Sequence, residues 1–410
     1  MHNRYRSGTP SGENRVVDQE SAALAAAGHQ VTRFGRSSDE IARWPAVKKA
    51  TLPARAIWST ESARGLGAAL RAERPDVVHL HNTFPLLSPS VLHACRDAGV
   101  PVVATIHNYR LGCAGGTFFR RGAVCHDCTE GSPAKAVVHG CYRGSRAATV
   151  PLALSVSMHR QSWRSLVSAY IFISAAQRDL LSGLDLPPDR TFVRWNLIPR
   201  LDLPARPGPG TGRATGRVPA VVYAGRLDEA KGVRLLMAGW DRFLAGALPT
   251  DPGPADPGAP GLKLVIAGSG PLGDEVAAWA ATRPSVELTG TLSGADCARL
   301  IASARAVLLP SAWEEPFGLV AVEAMAAGVP PVAAAHGAFT ELITPGTDGE
   351  LFAPGDPAAL ALAIADIARD PGRYRRYGER ARRTYTDRFD PDRSVADLLG
   401  IYRFAIKNPA

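Results

Sequence analysis

Residues 310–337, PSAWEEPFGLVAVEAMAAGVPPVAAAHG, constrain the fold of this chain more than any other stretch. The β-branched and apolar run 306–309 predicts a strand, and residues 318–327 predict a helix after a polar turn. Pro316 lies where a helix tolerates proline, and Gly328 lies where helices commonly end in a left-handed residue. The segment therefore predicts a strand–loop–helix unit of a parallel α/β sheet.

The turn ahead of this helix has the chemistry of an anion site. The backbone N–H groups of Phe317, Gly318 and Leu319 would lie at the positive end of the helix dipole, which favours a phosphate. Glu315 precedes the helix and Glu323 lies eight positions later, so they are within about 12 Å along its axis. Such a site suits a sugar nucleotide, although the same pattern also occurs as scaffold in parallel α/β proteins.

The string EPFGLVAVEAMAAGVP resembles the E-x7-E signature of the retaining GT-B glycosyltransferases of family 4, the glycosyl transferases group 1. This resemblance implies an α/β fold of the GT-B type, with two Rossmann-like domains facing each other across a cleft. It also implies that Glu315 binds the sugar hydroxyls and Glu323 the ribose hydroxyls of the donor. The helix amides around Gly318 and Leu319 would then bind the diphosphate.

The length of the chain and its alternation of apolar runs and helical segments indicate two domains. A chain of 410 residues exceeds one ordinary core, and the alternation predicts parallel sheets covered on both faces. By resemblance, an acceptor-binding domain spans 1–203 and a donor-binding domain spans 219–390. The linker would be 204–218, rich in Pro and Gly, and a helix within 391–410 would pack back on the first domain. A second Pro- and Gly-rich stretch, 249–261, predicts a surface insertion.

Composition excludes several classes of protein. Charged residues make up 21% and hydrophobic residues 46% of the chain, as in an ordinary globular protein. No apolar run reaches the roughly 18 residues of a membrane span, and no signal peptide opens the chain, so we expect a cytoplasmic protein. The net charge is +9, but no nucleic-acid-binding motif is recognisable, so we expect no nucleic-acid partner.

Residues 143–166 mix basic and apolar side chains, and a helix is predicted after Pro151. This helix could line the acceptor cleft, or it could lie on the inner face of a membrane as a peripheral contact. A helix buried in its domain is the third interpretation.

The N-terminal residues depart from the strand–helix alternation. A helix is predicted over 12–27 and a strand over 30–34, but no strand is predicted ahead of the helix. The first strand of the resembling family ends where this chain begins, so we expect a strand of about six residues upstream of Met1. The alternative is a chain that begins at Met1 and lacks that strand. By resemblance, Gly12 would let the backbone approach the donor phosphate.

A histidine closes the predicted strand 101–108. Ligands of parallel sheets gather at the carboxyl ends of strands, where His79 and His81 also lie. The sequence T-I-H-N around His107 resembles the family motif whose histidine faces the donor sugar, although Asn108 stands where Asp is commoner. The alternative is a histidine whose ring is satisfied by the backbone.

Two cations follow the predicted strand 220–225. Arg226 and Lys231 lie in GRLDEAKG, which resembles the family motif that holds the donor diphosphate. Cations placed there can neutralise the charge that grows on a departing nucleoside diphosphate, whereas an isolated pair is usually solvated surface. Gly270, in the glycine turn after the strand 262–268, would let the backbone approach a ligand, although G-x-G alone is a weak signal.

Four of the six cysteines fall close together, at Cys113, Cys125, Cys128 and Cys141. In a cytosolic protein such clustering favours a metal over disulfides, and C-x2-C is the spacing of a zinc knuckle. Structural zinc on the four thiolates is the favoured interpretation, with free cysteines and an iron–sulfur cluster or redox pair as alternatives. Four protein ligands would leave no open position, so the metal would pin a loop on the acceptor side.

Together these features predict a retaining, hexosyltransferase-like glycosyltransferase. It would move a sugar from a UDP- or GDP-sugar to a glycan, lipid-linked or natural-product acceptor, with His107, Glu315, Arg226 and Lys231 carrying catalysis. No D-x-D motif lies near these elements, so the cations would substitute for a divalent metal and no catalytic cofactor is expected. A catalytically inactive glycan-binding GT-B subunit and a GT-B nucleotide-sugar epimerase are the alternatives.

Overall fold

A computed structural model describes residues 1–8, 11–129, 132–200, 220–246 and 261–410. Contacts divide the chain into two compact units. The first unit contains residues 1–120, 125–197 and 391–410, and the second contains residues 121–124 and 198–390. The predicted linker 204–218, and all of the predicted insertion 249–261 except Gly261, lie outside the described residues.

The strands are short, and the two larger sheets are parallel throughout. In chain order the strands are β1 (His2–Arg4), β2 (Gly35–Ser37), β3 (Val78–Leu80), β4 (Val102–Ile106), β5 (Phe119–Arg120), β6 (Ala123–Val124), β7 (Ala169–Phe172), β8 (Thr191–Val193), β9 (Ala220–Ala224), β10 (Lys263–Ala267), β11 (Val286–Gly290), β12 (Ala306–Leu309), β13 (Pro331–Ala334) and β14 (Glu350–Phe352).

Helices connect and cover these strands. In chain order they are α1 (Gly12–Ala26), α2 (Glu40–Arg43), α3 (Ala46–Ala50), α4 (Leu52–Ile57), α5 (Thr60–Glu73), α6 (Ser90–Asp97), α7 (Ala134–His139), α8 (Arg146–Met158), α9 (Arg160–Ser165), α10 (Ala175–Leu180), α11 (Val233–Leu244), α12 (Gly273–Ala280), α13 (Gly294–Ser303), α14 (Leu319–Ala326), α15 (Phe339–Leu342), α16 (Pro357–Arg369), α17 (Pro371–Arg388) and α18 (Pro391–Lys407). Across the residues that the structure describes, none of these helices has both the length and the apolar character needed to cross a membrane.

The first unit is built on the parallel sheet β3-β4-β7-β8. All residues of β4 and β7 are buried, as expected for strands covered on both faces. One cover is the C-terminal helix α18, whose Leu398, Ile401 and Ala405 pack with Val103 of β4 and Ile171 of β7. Residues at the end of the chain therefore complete the core of the first unit.

The prediction that no strand precedes the first helix is wrong, because β1 precedes α1. The backbone of Asn3 donates to the Asn82 carbonyl at 2.9 Å, and that of His81 donates to the Met1 carbonyl at 3.0 Å. On its other side β1 pairs with β2. A three-residue strand is too short to show as an apolar run, which is why its sequence gave no signal.

The predicted strand 30–34 is misplaced. The register of β1 sets His2 opposite Gly35, so the paired strand is β2 and not the apolar residues before it. Val31 packs against the first-unit core, and the Phe34 carbonyl accepts a hydrogen bond from the His2 backbone at 3.1 Å. The apolar residues before β2 therefore mark a contact with the core, whereas backbone pairing with β1 determines where the strand lies.

The predicted helix after Pro151 also begins earlier than expected. Helix α8 starts at Arg146, where the side chain of Ser145 accepts a hydrogen bond from the Ala148 backbone, and it contains Pro151. A proline inside a helix costs about 3 kcal/mol. Pro151 is buried together with Leu152 and Ala153, and this packing offsets the loss.

The second unit is a six-stranded parallel sheet in the order β11-β10-β9-β12-β13-β14. Strands β12 and β13 are buried at every residue. The largest fully buried side chain is Trp240 of α11, which packs with Leu360 of α16 and Leu264 of β10. Gly239 permits this packing, because an added Cβ would lie 2.7 Å from the Leu360 side chain.

Candidate functional site

The strand order of the second unit determines where a ligand can bind. Numbered from β9, the sheet has the order 3-2-1-4-5-6, which is the doubly wound dinucleotide-binding order. This order reverses between β9 and β12, and the crevice at their carboxyl ends is where such sheets bind ligands. Arg226 and Lys231 follow β9, and Glu315 follows β12, so the topology brings these three predicted residues to one place.

Lys231 and Glu315 form an ion pair at this point. The Nζ atom of Lys231 lies 2.9 Å from Oε1 and 2.7 Å from Oε2 of Glu315. Glu315 is buried, whereas the Lys231 side chain is 27% exposed. An ammonium group carries three N–H donors, so Lys231 can serve the carboxylate and still donate to a ligand. Two residues predicted as separate ligand contacts are thus one charged unit.

Neighbouring side chains hold the Glu315 carboxylate in place. Trp313 Nε1 donates to Oε2 at 3.0 Å, and Ser311 Oγ donates to the same oxygen at 3.2 Å. The backbone of Ala338 donates to the Glu315 carbonyl at 2.9 Å. Buried carboxylates require such partners, because an unpaired charge is costly in a low-dielectric interior. Sequence reasoning missed Trp313 and Ser311, although both lie in the polar turn before Glu315.

Asp228 connects the two predicted cations. Its carboxylate forms an ion pair with the half-exposed guanidinium of Arg226. The other oxygen, Oδ1, accepts a hydrogen bond from the Lys231 backbone at 2.9 Å, and Tyr223 donates to the Arg226 carbonyl at 2.6 Å. Asp228 was missed because an aspartate in a turn usually has only a local role.

Close backbone packing joins the loops after β9 and β12. Gly232 has φ +71°, and a Cβ atom there would lie 1.6 Å from the Pro310 carbonyl oxygen, so only glycine fits. Gly270 is also tightly packed, since an added Cβ would lie 2.5 Å from the Leu227 carbonyl. Packing thus explains Gly270, and its predicted contact with a ligand stays a prediction.

The N-terminus of α14 opens onto the same crevice. The helix begins at Leu319, one residue after the predicted start, with Gly318 as its N-cap at φ +86° and no side-chain cap. Its first N–H groups are therefore not engaged by a capping side chain, as an anion site requires. Phe317 is buried and contacts Phe389, and Glu323 is half-buried in the second turn of α14.

The first unit holds a cavity of about 310 Å³ at the ends of β3 and β4. His107 lines it together with His81, Asn108, Arg110 and Trp163. A pocket of this volume, with polar and apolar walls, is of the size that holds a small ligand. Predicted site residue His107 thus belongs to a cavity built entirely from the first unit.

Histidines form a connected group beneath this cavity. His107 Nε2 lies 3.0 Å from His81 Nδ1, and His79 contacts Thr105 Oγ1 and Tyr402 Oη, both at 2.7 Å. Burial lowers the pKa of His107 to about 3 and holds the pKa values of His79 and His81 well below their usual range. These rings are neutral near pH 7, so His107 can hydrogen-bond a hydroxyl group but brings no positive charge.

The start of α1 carries a buried carboxyl group that the sequence did not indicate. Gly12, predicted to approach a donor phosphate, is the exposed first residue of α1. Glu13 beside it receives hydrogen bonds from Tyr5 Oη at 3.2 Å and Asn108 Nδ2 at 3.4 Å. Burial raises the pKa of Glu13 to about 7. Its side chain turns inward, which no periodicity around a loop–helix junction indicates.

The four cysteines predicted to bind a metal are free thiols that surround a second, smaller cavity of the first unit. The structure thus brings together Arg226, Lys231, Glu315 and the start of α14 in the second unit. His107, Gly12 and the cysteines lie in the first unit.

Family models match most of the chain. The glycosyl transferase 4-like domain model matches residues 11–196, and the glycosyl transferases group 1 model matches residues 213–384. Among curated proteins, glycogen synthase of Mycobacterium tuberculosis is 29% identical over 92% of this chain and 87% of its own length. The D-inositol 3-phosphate glycosyltransferase of Salinispora tropica is 32% identical over 56% of this chain and 49% of its own.

Solved structures share the fold. HepE of Anabaena, in complex with UDP, has a TM-score of 0.63 and 16% identity, over 98% of this chain and 99% of that one. Sucrose-phosphate synthase of Thermosynechococcus elongatus has a TM-score of 0.64 and 21% identity, over 98% and 95%. The prediction of an α/β fold of the GT-B type, with two Rossmann-like domains, is confirmed. Given these matches, the chain belongs to the glycosyl transferases group 1 family and is a glycosyltransferase.

Proposed function

We propose that this glycosyltransferase moves a hexose from a UDP- or GDP-sugar to a hydroxyl-bearing acceptor with retention of configuration. The observation that carries the proposal is the Lys231–Glu315 ion pair at the switch point of the second sheet, between Arg226 and the start of α14. Supporting it, the similar HepE structures were obtained with UDP, UDP-glucose, and UDP and glucose.

In this proposal the second unit binds the donor. The diphosphate lies against Lys231, Arg226 and the first N–H groups of α14, where cations and a helix dipole favour negative charge. Glu323 of α14 accepts hydrogen bonds from the ribose hydroxyls. Glu315 both holds Lys231 and offers its remaining lone pairs to the sugar hydroxyls, which sharpens its predicted role.

The same cations assist departure of the nucleoside diphosphate. Negative charge grows on the leaving phosphate as the sugar–oxygen bond breaks, and Lys231 and Arg226 stabilise it in place of a divalent metal. Retention follows if the acceptor attacks from the face that the phosphate leaves. A phosphate oxygen on that face then takes the proton of the acceptor hydroxyl, so the proton ends on the nucleoside diphosphate.

The cavity of the first unit is the proposed acceptor site. Its neutral imidazole at His107, the amide of Asn108 and the guanidinium of Arg110 are suited to hydroxyl groups, while Trp163 offers a stacking face. A glycan, a lipid-linked sugar or a natural product carries such hydroxyls. The alternative of an inactive glycan-binding subunit would use the same cavity without turnover.

A donor screen tests the proposal. Wild-type protein is heated with UDP-, GDP- and dTDP-sugars, and hydrolysis of each donor is followed in parallel. We expect one nucleotide class to raise the melting temperature, because a ligand that binds the folded state stabilises it. The matched variants are Lys231→Ala, which should lose this shift, and Arg299→Ala, an exposed cation of α13 that should keep it. Stabilisation without hydrolysis or transfer from any donor would identify an inactive subunit.

We also propose cytoplasmic location with a peripheral membrane contact through α8. Val150, Leu154 and Met158 recur every four residues and are 39%, 45% and 63% exposed, while Leu152 and Val156 of the same helix line the cavity. Co-sedimentation with phosphatidylglycerol vesicles tests this contact. Leu154→Asp should weaken binding, and equal recovery of wild type and variant in the pellet would contradict it.

A further inference from the structure

The loop between β4 and α8 brings four thiols to one place. Cys113 lies in the loop after β4, and Cys125 follows β6. Cys128 lies in a turn in which the Thr129 backbone donates to the His126 carbonyl, and Cys141 follows α7. All four are free and line one small space of about 20 Å³. A space of that size accommodates about one water-sized particle, so it has room for a single ion.

Cys113 and Cys141 approach each other beside Gly115. The Cβ position of Gly115 lies 3.7 Å from Cys113 Sγ and 3.7 Å from the Cys141 Cβ, so these two side chains flank one point. All four cysteines line the same small space, so thiolates there would repel one another, and a cation among them would remove that repulsion.

The surroundings suit an anionic metal complex. Arg120 lines the same space, and in the described part of the chain its buried Nε atom has no hydrogen-bond partner. Asp127 accepts a hydrogen bond from His139 Nε2 at 3.1 Å and lies 3.7 Å from an Arg120 nitrogen. Four thiolates on a divalent ion carry a net charge of about −2, so a guanidinium aimed into the space is the expected outer partner.

A competing metal group in the first unit already has other partners for most of its ligand atoms. Among the described residues, Glu20, His79 and His81 are the only His, Cys, Asp or Glu side chains whose ligand atoms lie mutually within 4.8 Å in a group of three or more. Glu20 is paired with Arg194, and both ring nitrogens of His79 have partners. Among the described residues no three of the four thiols meet this limit, so the sulfurs would have to draw together around an ion.

We propose that Cys113, Cys125, Cys128 and Cys141 bind one structural Zn²⁺. Zinc prefers tetrahedral thiolate sets with a C-x2-C half, and four protein ligands leave no position for substrate. Binding forms four Zn–S bonds and releases four thiol protons to solvent, with no change of oxidation state. His139 stays in the outer shell, where Asp127 holds it.

This metal would shape the proposed acceptor site. Cys128 lines both the small space and the 310 Å³ cavity. Cys128 and Cys141 also pack against the apolar cluster of Ala114, Ala136 and Leu152. Zinc would therefore fix one wall of the cavity; this consequence rests on the proposed function, whereas the metal site itself does not.

Metal content of protein purified without a histidine tag tests the site. We expect about one zinc per chain by mass spectrometry, and its release when an organomercurial titrates the thiols of wild-type protein. X-ray absorption should show four sulfurs at about 2.3 Å. Zinc near zero would overturn the proposal, as would iron with visible absorption, and a nitrogen in the first shell would overturn the four-cysteine set.

Variants provide the matched comparison. Cys125→Ser and Cys128→Ser should lose zinc and melt at least about 5 °C lower, because metal binding is coupled to folding. Cys297→Ser, a half-buried cysteine of α13, should retain zinc and melting temperature. If the ligand variants do not fold, the wild-type absorption spectrum still decides the ligand set.

Donor assays separate this inference from the proposed function. Zinc-depleted protein should keep the donor-induced melting shift of the second unit while acceptor-dependent transfer falls about tenfold or more. Zinc bound without any donor response in wild type would reject the proposed function and leave the metal site standing. Unchanged transfer after depletion would reject the role of the metal in the acceptor site.

Discussion

The crevice of the second unit contains charged side chains, whereas the cavity of the first unit lies beside side chains that burial keeps neutral. Lys231 and Arg226 are partly exposed, and each is balanced by a nearby acid. The first-unit cavity instead lies over histidines that burial keeps neutral, and a neighbouring carboxyl, Glu13, has a raised pKa. Exposed, balanced cations suit a charged diphosphate, whereas neutral polar groups suit hydroxyls. This contrast supports the proposed division, with the donor on the second unit and the acceptor on the first.

Removing the cation at the centre of the second site should have the largest effect. Lys231→Ala should lower kcat by about 100- to 1000-fold, because the charge that grows on the leaving phosphate loses its main partner and the buried Glu315 carboxylate loses its counter-charge. Steady-state kinetics with the preferred donor would measure this, with Arg299→Ala as control. A decrease in kcat of less than about fivefold would mean that the charge of Lys231 does not stabilise the leaving phosphate.

The loop packing that positions Lys231 should be the next most sensitive. Gly232→Ala should lower the free energy of unfolding by about 3 kcal/mol, because its Cβ meets the Pro310 carbonyl. Gly246→Ala is the matched control. Gly246 has a similar positive φ of +63° but open space around it, so its replacement should lower the free energy of unfolding by only about 1 kcal/mol. Equal losses in urea unfolding would show that backbone conformation alone, and not the loop contact, is responsible.

The buried carboxyl of the first unit should reduce stability at high pH. The folded-state pKa of Glu13 is raised from an ordinary value of 4.5 to about 7, so between these values the folded chain holds more protons than the unfolded chain. Stability therefore falls as pH rises through this window. Glu13→Gln should be more stable than wild type by about 2 to 3 kcal/mol at pH 8 and nearly equal at pH 4.

Urea unfolding at the two pH values would measure that difference. Tyr5, Asn108 and His2 contact Glu13, and Gln can keep the bonds from the first two. A Glu13→Gln variant that is less stable than wild type at pH 8 would show that the hydrogen-bond donors around Glu13 offset the cost of burying its carboxylate. The first unit would then balance a buried charge much as the second unit does.

Removing one hydrogen bond that orients Glu315 should have the smallest effect. Trp313→Phe removes one N–H donor to Glu315 but keeps an aromatic ring where the Lys231 ammonium now lies 5.2 Å from the indole centre. We expect the variant to lose about 1 kcal/mol of transition-state stabilisation, which is a roughly fivefold decrease in kcat/KM. A change as large as that of Lys231→Ala would instead make Trp313 a principal contact of the donor.

Much of the second unit could be predicted from its sequence. Strands β9, β10 and β12, and helix α14, lie within one or two residues of their predicted bounds. Apolar runs bounded by glycine are strong signals when strands are buried on both faces. Arg226, Lys231, Glu315 and the glycines could be placed because they stand next to those strands in the chain.

The first unit was harder to predict for physical reasons. Strand β1 is too short for a pattern, β2 is positioned by its pairing with β1, and Pro151 is tolerated because tertiary packing outweighs helix propensity. Glu13 and the pairing of Glu20 with Arg194 depend on residues far apart in sequence. No local pattern reports such contacts.

The sequence by itself determined the family, the two sheets and which residues we propose for diphosphate binding, because motifs and hydrophobic periodicity are local properties. Tertiary structure alone decided that Lys231 and Glu315 share one ion pair, that His107 is neutral, and that four distant cysteines surround one small space. Each of these depends on burial and on distances between separate elements, which only packing sets.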